Sequence, residues 1–185
     1  MTEPAQRGQL DLGEVLLQNS RLDAEQLERA RIRQEASQAR LGDILVEEGM
    51  LSKEEVLVGT GEQLGLEFHQ AIDVGQIDED LTHRVPISFA KQHGVLPLSY
   101  ESEKGLLRVV TSDPFDIDPL DGLRILFGAE DIEIVLSGQQ SVTSAINEVY
   151  DRGVAETGQL AEEATDDLDV LADEASHEPQ DLLEA

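Results

Sequence analysis

The chain has 185 residues, room for one ordinary domain or two small ones, and carries 13 Lys/Arg against 40 Asp/Glu, a formal net charge of −27. That field repels polyanions, which excludes a general nucleic-acid binder and charge-driven adsorption to an anionic membrane. The absence of Cys excludes a disulfide scaffold, a thiol nucleophile, zinc–thiolate sites and iron–sulfur clusters. No apolar run approaches the roughly 20 residues of a membrane span, and Met1 to Gln18 is too polar for a signal peptide, so the expected location is the cytoplasm.

Residues 1–65 contain a repeat. Asp11 to Gln34 aligns without gaps on Arg40 to Gln63 at an offset of 29. Leu12-Gly13 matches Leu41-Gly42, Leu16 matches Leu45, Leu22 matches Leu51, Leu27 matches Val56, and Gln34 matches Gln63. Each unit reads as a short helix, a turn and a second helix. The turns fall at Asn19-Ser20 and Gly49, where Asn or Gly suits a left-handed C-cap. The second helices open on capping boxes, Asp23-x-x-Gln26 and Ser52-x-x-Glu55. Glu35 to Ala39 forms a tight connection. Two such hairpins predict a four-helix repeat bundle, each covering the other's apolar face. Core packing and capping explain the leucines. They do not explain why each unit opens on Leu-Gly and closes on Gln.

Residues 66–150 change texture. Leu66–His69 reads as a short strand. Asp78–Val85 and Ile87–His93 read as short helices split by Pro86. Val95–Tyr100 and Leu106–Thr111 are β-prone runs joined by a hairpin loop at Glu101–Gly105. Pro119–Phe127 reads as a helix ended by Gly128, Ile132–Leu136 as a strand, and Ser141–Tyr150 as a final helix. The unit from Leu106 to Leu136 is a βαβ crossover, which predicts parallel pairing of its strands. The expected class is α+β: a helical bundle over 1–65, a small mixed α/β sheet domain over 66–150, then an acidic linker or tail over 151–185. That last stretch holds one Arg against twelve acids and scattered small apolar residues, too little to offset its ordering entropy, apart from a short helix near Leu168–Ala175.

Candidate chemistry is sparse. Asp113, Asp116, Asp118 and Asp121 bunch after a strand, but the spacing is not that of a calcium loop, and Asp116 or Asp118 is better read as a helix cap. The four His residues show no ligand spacing. Gly153 to Gly158 has the glycine frame of a phosphate loop but is followed by Gln159-Leu160 instead of Lys and a hydroxyl residue. No catalytic site and no metal site are expected.

The order and spacing of these segments over 9–150 resemble the N-terminal region of type II secretion and type IV pilus assembly ATPases of the GspE/PilB type. Residues 1–65 resemble the MshEN-type helical module, whose units run Arg-Leu-Gly-x-x-Leu-x-x-x-Gly and end on a closing Gln. The resemblance continues through Val85-Pro86, Leu96-Pro97-Leu98, Asp113-Pro114 and the Leu120–Gly128 helix. It implies docking onto the cytoplasmic part of an inner-membrane platform protein, recruitment to the inner-membrane face, and a hexameric full-length protein whose ATP and Mg²⁺ belong to a motor outside this chain. The chain is therefore expected to be a fragment, with a free-standing adaptor as the alternative.

In a subset of the family the paired motifs bind cyclic di-GMP. Carried over residue by residue, that implies a candidate site at Leu12, Gly13, Leu16 and Gln34 in the first unit. In the second it implies Arg40, Leu41, Gly42, Leu45, Gly49 and Gln63. The second unit departs from the pattern at Val56 and Thr60, each of which stands where the motif has a Leu. The first departs at Asp11 for Arg, Ser20 for Gly and Arg31 for Leu. An Asp where the motif has a guanidinium repels a dianionic dinucleotide, so weak binding at most is expected.

Overall fold

The structure, a computed structural model, describes residues 11–152; the expected acidic tail and its short helix lie outside the described residues. Four helices come first: α1 (Leu12–Asn19), α2 (Ala24–Ser37), α3 (Leu41–Glu47) and α4 (Lys53–Leu64). Both capping boxes form. Gln26 N–H donates to Asp23 at 2.8 Å while Asp23 N–H donates to the Gln26 side chain. Glu55 N–H donates to Ser52 Oγ at 3.2 Å while Ser52 N–H donates to the Glu55 carboxylate at 2.8 Å.

The turns behave differently. Gly49 takes the left-handed conformation at φ 67°, as expected, but the first turn does not. Asn19 ends α1 and Ser20 caps it in an extended conformation at φ −130°. The Ser20 hydroxyl donates to Leu16 O at 2.6 Å and accepts from Leu22 N–H at 3.2 Å. A serine makes by side-chain bonding the turn that a glycine makes by backbone freedom. The expected connection at Glu35–Ala39 is also mostly helix: α2 runs to Ser37, and Gln38 takes the left-handed cap at φ 57°.

The helices pair by exchange. α1 packs chiefly on α4, and α2 chiefly on α3. The repeat maps the first of these contacts onto the second, so the pairing has an internal two-fold character. It shows in the polar contacts as well. Asn19 donates to Glu62 across α1 and α4, and at the equivalent positions Arg33 donates to Glu48 at 2.6 Å. One apolar cluster serves all four helices, with Leu16, Ala30, Ile44 and Leu45 at most 1% exposed.

The remainder is built on a four-stranded sheet. Its strands are β1 (Glu67–His69), β2 (Val95–Glu101), β3 (Leu106–Thr111) and β4 (Asp131–Ser137), in the order β1-β4-β3-β2. β4 is parallel to both β1 and β3, and β2 is antiparallel to β3, so the sheet is mixed and the crossover pairs in parallel as expected. A 3₁₀ turn at Val74–Gln76, which the sequence did not announce, precedes α5 (Glu79–Thr82) and α6 (Ile87–His93). α5 is shorter than the Asp78–Val85 expected for it. α7 (Ile117–Phe127) bridges β3 and β4, and α8 spans 139–152 among the described residues. Val142, Ala145, Ile146 and Val149 bury one stripe of α8 at helical spacing, and Tyr150 Oη donates to Val85 O at 2.6 Å. Burial pushes the Tyr150 phenol up from its ordinary range.

α4 also packs on β1 and β4. A Cβ on Gly61 would lie 3.3 Å from Leu136 Cδ1 and 3.3 Å from Leu66 O, so the glycine lets α4 rest this close on the sheet without either neighbour having to give way.

Candidate functional site: the arginine corner of the helical repeat

Burial divides the candidate residues into two groups. Leu16 and Leu45 are 1% and 0% exposed, Leu41 is buried, and Gly13 and Gly42 lie buried in their helices. These residues shape the unit from within. Arg40 and Gly49 are exposed, while Leu12, Gln34 and Gln63 are half-buried. Those five carry the atoms that a bound molecule can reach.

The structure supplies the missing reason for the Leu-Gly opening. A Cβ on Gly13 would lie 2.9 Å from Leu27 Cδ1, and a Cβ on Gly42 would lie 2.6 Å from Val56 Cγ1. Leu27 and Val56 are themselves repeat equivalents. In each unit the second helix presses an aliphatic side chain onto the glycine of the first. The closing Gln has a structural task in the first unit, where Gln34 Nε2 donates to Ala39 O at 3.3 Å and ties the end of α2 to the connection.

Arg40 stands just ahead of α3, its side chain 59% exposed. Its guanidinium lies over the Phe115 ring at 4.7 Å from the centroid, and 3.9 Å from Asp113 Oδ1. Both partners belong to the loop after β3, 73 and 75 residues along the chain, so the helical part and the sheet part share this side chain. The first unit is arranged otherwise. The Asp11 side chain makes no cap bond to α1, and its carboxylate instead meets Arg31 Nη2 of α2 at 2.5 Å. Thr60, the repeat equivalent of Arg31, is 3% exposed and donates to Val56 O.

The acidic run after β3 does not gather round one point. Asp113 Oδ1 accepts from Phe115 N–H at 2.9 Å, Asp116 faces His93 Nδ1 at 3.3 Å, and Asp121 pairs with Arg124. Asp116 is the N-cap residue of α7 but makes no side-chain cap bond, so the capping expected of it is corrected: its carboxylate is drawn to the histidine. Asp118 lies inside the first turn. Among the described residues, no helix is long and apolar enough to cross a membrane.

Fold and site together define a module in which a helical repeat, with its glycines at the helix contacts, joins a small mixed sheet through an arginine and a glycine. The chain belongs to the MshEN domain family, whose model matches residues 64–156. That match falls on the sheet part; the helical repeat, to which the sequence resemblance assigned the MshEN module, precedes it.

The chain is homologous to the N-terminal region of PilB/GspE-type ATPases. It is 26% identical over 166 residues to the type IV pilus assembly ATPase PilB of Myxococcus xanthus, covering 90% of this chain and 29% of that protein. It is 27% identical over 175 residues to type II secretion system protein E of Xanthomonas campestris, covering 90% and 30%. It is 34% identical over 109 residues to bacteriophage adsorption protein B of Escherichia coli, covering 59% and 14%. The chain thus spans under a third of the length of these curated relatives. A solved structure of MshE with cdg superposes with a TM-score of 0.58 at 26% identity, covering 76% of this chain and 99% of that one.

Proposed function

We propose that this chain is the docking and regulatory region of a secretion or pilus-assembly ATPase, and that it carries no motor chemistry of its own. The observation that supports this best is its homology, over nine-tenths of its length, to under a third of two such proteins. In this reading residues 1–65 form a four-helix repeat bundle and 66–150 a separate α/β domain. The bundle binds the cytoplasmic part of an inner-membrane platform protein, so the chain is cytoplasmic and reaches the inner-membrane face indirectly, through that partner. The strong negative charge selects a partner with basic residues at the interface. Titrating the chain with the platform's cytoplasmic part at rising salt tests this. Affinity that falls as salt rises supports the reading. Binding that is indifferent to salt removes its electrostatic part, and no binding at all removes docking. The purified chain should not hydrolyse ATP, and turnover that survives removal of contaminants would contradict a motorless module.

A second reading, favoured by the likeness to MshE with cdg, makes the repeat a cyclic di-GMP surface. Arg40, Gly49 and the half-buried Leu12, Gln34 and Gln63 offer the reachable atoms there, supported from beneath by Gly13, Leu16, Leu41, Gly42 and Leu45. Calorimetry with cyclic di-GMP tests it, Arg40→Ala being the variant expected to abolish binding.

A further inference from the structure

The repeat offset pairs position 11 with 40 and position 31 with 60. In the second unit the guanidinium stands ahead of the first helix, on Arg40, and the second helix carries a buried Thr60. In the first unit the chemistry is crossed: an acid, Asp11, stands ahead of the first helix, and the second helix carries Arg31. Because Arg31 Nη2 lies 2.5 Å from Asp11 Oδ2, its guanidinium is held at the residue that Arg40 matches. The first unit therefore also has a guanidinium at the residue ahead of its first helix, supplied by the second helix instead of by that residue.

We propose that Arg31 is the ligand-binding cation of the first half-site and that Asp11 occupies it as an internal stand-in for the anionic group of the ligand. This rests on the reading of the repeat as a cyclic di-GMP surface. Two observations support it. The Asp11 carboxylate sits 3.0 Å from the point that a Cβ on Gly13 would take, so it holds its charge against the start of α1, where the motif opens. The pair is also exposed, with side chains 44% and 53% accessible, and an exposed ion pair holds its partners weakly. A phosphate, carrying a full charge and taking the guanidinium fork at two points, can displace such a carboxylate. The motif's apparent damage at position 11 is then an occupied site, closed by a side chain that competes with the ligand.

Calorimetric titration of the whole chain with cyclic di-GMP tests this. Asp11→Asn should tighten binding roughly ten-fold, equivalent to about 1.4 kcal/mol. Arg31→Leu in the Asp11→Asn background should erase that gain, and Arg31→Lys should keep part of it. If Asp11→Asn/Arg31→Leu keeps the gain, the carboxylate acts by repulsion alone and the proposal falls. It falls equally if Asp11→Asn binds like the parent chain. Binding that Arg40→Ala abolishes, while every variant at positions 11 and 31 binds alike, overturns this proposal and leaves the cyclic di-GMP reading standing. Absence of binding in both the parent chain and Asp11→Asn overturns the two together. Both side chains are about half exposed, so unchanged melting temperatures are expected and confirm that each variant is folded.

Discussion

The two repeat units share one backbone plan and differ in what stands at its corners. Unit 11–34 turns on a serine that bonds to its own helix; unit 40–63 turns on a left-handed glycine. The first keeps its guanidinium inside the unit, on Asp11, whereas the second sends it outward, to Phe115 and Asp113 of the sheet part. Position 61 is a glycine against the sheet, and its equivalent, Ile32, is 61% exposed. The second unit has thus become the one that carries the sheet, while the first keeps a face open. Two copies of one sequence pattern diverge at the positions where one of them gained a neighbour.

If the two units contribute alike to one core, Leu16→Ala and Leu45→Ala should each cost about 2–5 kcal/mol, since both leave a cavity at a fully buried position. Urea unfolding measures this, and a cost confined to one of the pair would break the equivalence. The glycines should part company. Val56 is β-branched and cannot move its Cγ1 from Gly42, so Gly42→Ala should cost about 1–3 kcal/mol. Gly13 meets the far end of Leu27, which can turn aside, and alanine gains up to about 1 kcal/mol of helix propensity. Gly13→Ala should therefore change stability little.

The caps come next: Asp23→Ala and Ser52→Ala should each cost about 0.5–2 kcal/mol by thermal melting. They differ in pH response. The Ser52 backbone N–H, then its hydroxyl, hold the Glu55 carboxyl below its ordinary range. The resulting stabilisation is complete above the ordinary carboxylate pKa and is lost as pH falls through the lowered one. Gln26, its counterpart in the first unit, does not titrate. Glu55→Gln should thus flatten the acid limb of the melting profile, and an unchanged limb would remove Glu55 as its source. Smallest of all, Arg33→Ala should cost under about 1 kcal/mol, since its ion pairs are exposed.

Much of this was legible because it is local. The capping boxes, the Gly49, Gly105 and Gly128 turns and the parallel crossover each follow from a few neighbouring residues. α7 starts two residues before the expected Pro119 because proline is tolerated throughout a first helical turn, whose N–H groups lack partners anyway. The Asp11–Arg31 pair and the Arg40–Phe115 stack were not legible. The residues stood out only as departures from, or members of, a motif, and their meeting depends on how helices cross. The exchanged pairing was hidden for the same reason: an apolar stripe says that a helix is covered, not by which neighbour.

Because α1 rests on α4 and α2 on α3, neither hairpin covers its own apolar stripe while the chain is being made. Until α4 (Lys53–Leu64) has emerged, the helices before it lack the partner that completes their core, and the sheet cannot close until β4, which lies between β1 and β3, has followed. At about 5–20 residues per second, the interval between the emergence of Leu64 and of Ser137 is roughly 4–15 s. During that time the four helices, with Arg40 unstacked and Gly61 bare, precede the surface that receives them.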